Sequence, residues 1–176
     1  MAEVALVPHP ATPSTAARSI VVHLRREPQA LALRYVLAGN LGQVRLPAPR
    51  PAARADGLWR HTCFEVFIAV DRSPAYQEFN FSPSSEWAAY ALGGYRERSA
   101  PLDCDAPRIA VRASDTELEL EARIVRAGPG RLRLGLSAVV EDAQGALSYW
   151  ALRHPSDRPD FHHAGAFALE IDAIRH

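Results

Sequence analysis

Lysine is absent from this chain: all 20 of its basic Lys and Arg positions are arginine. Without a lysine amine there is neither Schiff-base catalysis nor the lysine of a phosphate-binding loop. The glycine pattern of dinucleotide-binding folds, the GxSxG elbow of hydrolases and the HExxH motif of zinc peptidases are missing too. These absences exclude most enzyme classes that a short motif identifies.

Long apolar runs and an excess of charge are also lacking. No stretch reaches the roughly 18 consecutive apolar residues of a membrane span, so a membrane is not expected as a partner. The N-terminal segment has no basic start followed by an apolar run, so no signal peptide is recognised and a cytoplasmic protein is predicted. The formal net charge is zero, and no basic run is visible, which argues against nucleic acid as a partner.

Sulfur is scarce, since the chain has two cysteines, Cys63 and Cys104, and one methionine, Met1. There is no CxxC pair, so a structural zinc site of the thiolate type is excluded. Two cysteines alone do not distinguish a disulfide from two free thiols. Their pairing therefore stays open at this point.

What the chain does contain is a series of short, alternating apolar patterns with turn signals about every 8–12 residues. Candidate strands cover residues 3–7 (as a short edge strand), 19–24, 29–37, 62–70, 77–82, 87–92, 108–113, 117–125, 131–140, 147–152 and 166–171. A helix is the alternative at 29–37 and at 87–92. Hairpin or turn connections are predicted at 71–75 and 128–130.

This spacing predicts an all-β fold rather than a parallel α/β fold, because no crossover helix is evident. We expect one domain spanning residues 1–176, with a partly irregular segment at 1–18. The domain is predicted to be an antiparallel β-sandwich, immunoglobulin-like or jelly-roll-like, with about nine or ten strands.

Polar groups interrupt the densest strand patterns. The segment 62–70 is apolar on both faces, which is typical of a central strand, and Glu65 lies on one of those faces. Glu78 and Asn80 lie on the next predicted strand, so pairing of the two strands would bring them near Glu65. Three interpretations are open: a structural network with an arginine, a sugar-binding surface, or a carboxylate pair for glycosidic hydrolysis.

Aromatic side chains surround these carboxylates in the sequence. A sugar-binding surface needs a flat aromatic ring under the sugar and polar groups that bond its hydroxyls. No catalytic residue is assigned. The candidate ligand-binding residues are Trp59, Arg60, Glu65, Glu78, Asn80, Trp87, Tyr90 and Trp150.

Histidines concentrate near the C-terminus, where residues 154–163 contain two aspartates and three histidines. Such side chains are a supply of metal ligands, but no spacing fixes a ligand geometry. A polar rim loop in which Asp and Ser cap turns is the favoured interpretation. No metal site is assigned, and the alternative haem or metal ligands are His61, His154, His162 and His163.

Four short runs carry a resemblance to a known family. They are LWRHTCFEVFI at 58–68, YQEFNFSP at 76–83, SYWAL at 148–152 and PDFHH at 159–163. Together they resemble the DOMON-like superfamily, which is similar to family-nine carbohydrate-binding modules. The likeness extends from about Val22 to Ile171 and is nearest to small bacterial proteins described as DOMON-like.

The resemblance implies an antiparallel β-sandwich that binds sugar or haem. Its sugar-binding members hold the ligand with aromatic and polar side chains, which match Trp59, Glu65, Glu78, Asn80 and Trp87 here. Its haem-binding members ligate iron through Met with His or Lys. Because this chain has no lysine and only Met1, a b-type haem would need histidine ligands instead.

We therefore expect a non-enzymatic module that binds a saccharide or a sugar-bearing small molecule, without a cofactor. The alternative is a redox domain that holds haem b through histidines. The sequence does not indicate an oligomeric state.

Overall fold

A computed structural model describes residues 1–70, 73–125 and 130–173. Within them the chain forms twelve β-strands and three short 3-10 helices, Leu41–Gln43, Leu58–Arg60 and Ala164–Ala166, with no α-helix. The strands are β1 (Ala2–Pro8), β2 (Ala17–Glu27), β3 (Ala30–Gly39), β4 (Cys63–Val70), β5 (Tyr76–Phe81), β6 (Trp87–Gly94), β7 (Glu97–Pro101), β8 (Arg108–Ala113), β9 (Glu117–Val125), β10 (Leu132–Glu141), β11 (Leu147–Ala151) and β12 (Leu169–Ile171). None of the helices in these ranges has the length and apolar character needed to cross a membrane.

The strands form one strongly curled antiparallel sheet in the order β7-β6-β5-β4-β10-β11-β1-β2-β3-β9-β8, with β12 beside β10. The curl makes two facing layers, as in a sandwich. Strand β1 belongs to both layers, because its first part pairs with β2 and its last two residues, Val7 and Pro8, pair with β11. The strand predicted at 3–7 is present, but the expectation that it lies at an edge of the sheet was wrong, because β1 pairs with both β2 and β11.

The main core lies between the two layers and follows from period-two alternation. Leu33, Tyr35 and Leu37 of β3 point inward and are at most 2% exposed. They face a similar row on β4, where the ring of Phe64 lies 5.1 Å from the ring of Tyr35. Each such side chain stabilises the fold by roughly 1.5–3 kcal/mol through burial.

The predicted all-β sandwich is confirmed, and both segments with a helix alternative are strands, β3 and β6. The strand count was too low, in part because β7 has no apolar alternation. Segment 166–171 is a strand only at Leu169–Ile171, because the 3-10 helix precedes it. The predicted connections at 71–75 and 128–130 lie partly outside the described residues.

Strand β4 is central, as predicted, and its outer face is covered as well. Beneath this cover a second apolar cluster forms, from Phe67, Ala69, Tyr76, Ala88, Tyr90, Leu92, Ala166 and Phe167. The cover consists of the 3-10 helix Leu58–Arg60 and the loop at 152–168. Leu58 of the helix and Phe161 of the loop pack on the cluster. The same outer face also carries Glu65 and Glu78, so the cover determines how these carboxylates meet solvent.

Candidate functional site

A cavity of about 410 Å³ opens on the outer face of β4, β5 and β10, against the covering loop. We call it the carboxylate pocket. Its aromatic and ionisable lining side chains are Trp59, Tyr149, Phe161, Glu65, Glu78, Arg96 and His162. The volume falls within the range of about 300–1,000 Å³ that is usual for small-molecule sites.

Strand pairing places the two carboxylates. In the β4–β5 hairpin Glu65 pairs with Asn80, and Phe67 pairs with Glu78. Glu65 and Glu78 are therefore diagonal neighbours on one face, with Cα atoms about 7–8 Å apart. Each is only 2% exposed, although both line the cavity.

Buried carboxylates require hydrogen-bond donors, because desolvation penalises the charge. The Ser137 hydroxyl donates to Oε2 of Glu65 at 3.3 Å, and the Asn80 amide donates to Oε1 of Glu78 at 3.1 Å. The Nε2 atom of His162 lies 3.8 Å from Oε2 of Glu78. These contacts orient both carboxylates within the pocket that they line.

The two cysteines are free thiols, and Cys63 is buried beside the carboxylates. Burial raises the pKa of the Cys63 thiol well above its ordinary value, and the charges of Glu65 and Glu78 raise it further. The thiol therefore stays protonated at neutral pH and acts as a small apolar group.

His162 is held by a tyrosine from β5. The Tyr76 hydroxyl and Nδ1 of His162 are 2.8 Å apart, and the hydroxyl also accepts from the backbone N–H of Arg96 at 3.2 Å. Burial raises the pKa of Tyr76, so its proton remains in place to be donated. A neutral His162 ring then carries its own proton on Nε2, which faces Glu78.

Arg96 reaches the pocket from a left-handed backbone conformation, with φ of 56°. For a residue with a side chain this costs roughly 1–2 kcal/mol, and contacts around it offset the cost. Its guanidinium donates to Oδ1 of Asp160 at 3.0 Å. Asp160 also accepts from the Tyr95 hydroxyl at 2.6 Å and from the backbone N–H of His162 at 3.1 Å. Asp160 thus ties the covering loop to the turn between β6 and β7.

Two opposing influences act on the pKa of Asp160. Burial alone would raise it, but the hydrogen bond from Tyr95 and the guanidinium of Arg96 outweigh burial and lower the pKa below its ordinary value. A carboxyl whose pKa is lowered by folding stabilises the folded state above its ordinary pKa. This stabilisation is lost as the pH falls through the folded-state pKa.

We expect Asp160→Asn to lower the free energy of unfolding by about 1 kcal/mol at neutral pH. The melting temperature should then fall by about 2–4 °C, and the difference from wild type should shrink as the pH falls through the lowered pKa of Asp160. Thermal melts of both proteins across this pH range measure the effect. Asp157→Asn, at an exposed position of the same loop, is the control and should melt like wild type. Equal falls in melting temperature in the two variants would show that Asp160 does not fasten the covering loop to the β6–β7 turn.

Other predicted site residues lie elsewhere. Trp87 and Trp150 belong to the main core, on the opposite side of the layer from Glu65 and Glu78. The Arg54 guanidinium lies 4.3 Å from the Trp87 ring centroid, and Nε1 of Trp150 donates to the Ser148 hydroxyl at 3.0 Å.

The remaining candidates, Tyr90, Asn80 and Arg60, are not among the residues that line the carboxylate pocket. Tyr90 donates its hydroxyl to Asp56 at 2.6 Å, and Asn80 is fully buried. The Arg60 guanidinium lies 5.3 Å from the Trp59 ring centroid and lines a neighbouring cavity of about 680 Å³. Of the eight predicted ligand-binding residues, the carboxylate pocket is lined by Trp59, Glu65 and Glu78.

Sequence reasoning did not assign Arg96, Tyr149 and Phe161 to a site and considered His162 only as an alternative haem or metal ligand. A signal was present for two of them, because Tyr149 must face away from Trp150 on β11, and Phe161 belongs to the PDFHH run. Arg96 carries no sequence signal, since its position depends on an irregular turn.

The four histidines proposed as alternative ligands each have separate hydrogen-bond partners. His61 is bonded to Glu141 at 2.7 Å, His154 donates to the carbonyl of Val7 at 2.8 Å, and His163 accepts from the N–H of Gly165 at 3.0 Å. Burial lowers the pKa of His154. Within the described ranges, no three His, Cys, Asp or Glu side chains are grouped so as to hold a metal ion.

Solved structures reveal what this architecture is similar to. A candidate carbohydrate-binding protein from Bacteroides uniformis ATCC 8492 aligns with a TM-score of 0.73 at 15% identity, over 94% of this chain and 84% of its own. The two proteins share a fold. No family model and no curated protein sequence matches the chain.

Two further structures show a family-nine carbohydrate-binding module from Caldicellulosiruptor kristjanssonii. Its glucose complex aligns with a TM-score of 0.55 at 14% identity, over 91% of this chain and 78% of that one. Its cellotriose complex aligns with a TM-score of 0.56 at 11% identity, over 90% and 78% respectively. At such low identities the likeness establishes the shared module fold.

Proposed function

We propose that this chain is a saccharide-binding module and that the carboxylate pocket is its binding site. The observation that carries the proposal is the meeting of two buried carboxylates, Glu65 and Glu78, with three aromatic rings in one cavity. A sugar ring has C–H faces that pack on aromatic rings and an equator of hydroxyl groups that need hydrogen-bond partners. The pocket supplies both kinds of surface.

Hydroxyl groups both donate and accept hydrogen bonds, and the pocket offers each role. Carboxylates accept from hydroxyl donors through short, charge-assisted bonds, while Arg96 and His162 carry N–H donors. Trp59 is 42% exposed, which leaves much of its ring available for contact. The glucose and cellotriose complexes of structures with this fold support a saccharide as the ligand class. Binding without catalysis is proposed, as in carbohydrate-binding modules.

Calorimetric titration with glucose and cello-oligosaccharides tests the proposal, preceded by a glycan-array survey to find the best ligand. We expect Glu78→Gln to weaken binding about tenfold, because a neutral amide replaces a charge-assisted acceptor worth about 1.5 kcal/mol. Circular dichroism should show that the variant keeps its fold.

The matched control is Glu117→Gln, which removes one negative charge at an exposed position on β9, in the other layer. It should bind like wild type. Absence of binding to every saccharide on the array, or equal affinities of Glu78→Gln and wild type, would overturn the proposal.

A further inference from the structure

A second cavity, of about 440 Å³, lies beside the first and shares His162 with it. We call it the arginine pocket. Its lining includes Tyr76, Tyr95, Arg133, His163 and Phe167. A ligand that passes His162 would therefore contact both cavities, which is the arrangement needed for two linked rings.

The two cavities have opposite charge. The carboxylate pocket is lined by two carboxylates, those of Glu65 and Glu78, and by one guanidinium, that of Arg96. Among the described residues, the lining of the arginine pocket includes one guanidinium and two imidazoles but no carboxylate. An anionic group is therefore disfavoured in the first cavity and favoured in the second.

Arg133 is the main cation of the arginine pocket, and its environment leaves it able to accept a ligand. Its Nε atom is buried and has no hydrogen-bond partner among the described residues. Glu170 stands directly opposite Arg133 in the β10–β12 pair, yet Glu170 forms its ion pair with Arg131, at 3.4 Å. A planar guanidinium matches the planar carboxylate group better than it matches a hydroxyl.

Aromatic rings complete the arginine pocket. The rings of Tyr76 and Phe167 meet edge to face, with centroids 5.2 Å apart. The Tyr95 side chain is 60% exposed, and its hydroxyl is fixed by Asp160 at 2.6 Å. Such rings suit the C–H face of a sugar, as they do in the carboxylate pocket.

We propose that the arginine pocket binds the uronate ring of an acidic saccharide, with the carboxylate of that ring on Arg133 and a neutral neighbouring ring in the carboxylate pocket. This inference rests on the proposed saccharide function. It adds the class of the ligand, an acidic saccharide, and states which of its two rings lies in which cavity. The charge of each cavity sets that direction, because a uronate in the first cavity would face Glu65 and Glu78.

The test compares a β-1,4-linked glucuronate–glucose disaccharide with its methyl ester, which has the same shape but no charge. In calorimetric titrations wild-type protein should bind the acid about tenfold more tightly than the ester, and added salt should reduce this preference. Arg133→Gln should bind both ligands with the affinity of the ester. Arg131→Gln removes a nearby guanidinium that pairs with Glu170 and Asp172, and it should keep the preference.

Each outcome is decisive. If wild type binds the acid and the ester equally, and Trp59→Ala weakens the binding of both, then uronate binding in the arginine pocket is overturned and the saccharide function stands. A preference that survives in Arg133→Gln would also overturn it. Failure of wild type to bind either disaccharide or any neutral saccharide would overturn both proposals. The wild-type comparison needs no variant, so a folding defect in Arg133→Gln leaves the test valid.

Discussion

Replacement of Trp59 by alanine is expected to weaken saccharide binding about 30-fold, which corresponds to about 2 kcal/mol. The indole lies on the 3-10 helix Leu58–Arg60 and lines the carboxylate pocket. It is the most exposed of the pocket's three aromatic side chains, so it offers the largest free face to a sugar. Arg60 stacks against this ring at 5.3 Å and helps hold its orientation.

The same exposure predicts a small effect of Trp59→Ala on stability, because little of the fold depends on the ring. We expect its melting temperature to stay within about 4 °C of wild type. Calorimetric titration with cellotriose measures the affinity. Trp59→Phe should give an intermediate affinity, and Val70→Ala, at a 45% exposed position on β4, should bind like wild type. Unchanged affinity in Trp59→Ala would remove the indole from the site.

Gly39→Ala is expected to destabilise the fold by about 3 kcal/mol, at the upper end of what overpacking costs. A Cβ atom at this position would lie 2.1 Å from the carbonyl oxygen of Ala16. That carbonyl is held in place, because it accepts the N–H of Asn40 at 2.9 Å, and Gly39 itself donates to Thr116 at 3.0 Å. Neither backbone segment can move aside without breaking these bonds.

Urea unfolding measures this effect as a lower midpoint at an unchanged slope. Gly42→Ala is the matched control, because its Cβ would meet only the Asn40 side chain, at 3.4 Å. We expect that variant to unfold within about 0.5 kcal/mol of wild type. If the two variants have the same midpoint, the close approach at Gly39 is not a constraint on the fold.

Period-two alternation made most of the fold predictable. On β9 one face is apolar and the other is largely charged, so its register and its direction relative to the core follow from the sequence. Strand β4 was recognisable as central because apolar residues occupy both of its faces. Strand β7 was missed because the sequence ERSAP does not alternate, and its pairing with β6 is interrupted by register shifts.

The site was less predictable. Alternation shows that neighbouring side chains of a strand point to opposite faces of the sheet, but it does not show which of the two faces the core. Trp87 pairs with Phe81 on the core side, whereas Glu78 and Asn80 lie on the outer side of the same layer. That outcome depends on the register of two hairpins, which the sequence alone did not fix. In the same way, the sequence did not show which residue of the pair Tyr149 and Trp150 faces outward; the structure has Tyr149 in the carboxylate pocket and Trp150 in the core.

Long-range loop contacts account for the rest. His162 bonds to Tyr76, 86 positions earlier in the chain, and Asp160 bonds to Tyr95, 65 positions earlier. No local pattern encodes such meetings, because they depend on how the covering loop crosses the sheet. The arrangement of acids and bases around the two cavities is therefore a property of the folded chain.

The double membership of β1 in the sheet has a consequence for how the protein folds during synthesis. Pairing of β1 with β2 needs only neighbouring segments and can form early, whereas the contact of Val7 with Ala151 joins parts of the chain separated by most of its length. The ribosome must therefore release β11 before the seam between the layers can close. Until then one edge of β1 stays open to pairing with other chains, which is the situation in which nascent β-proteins aggregate.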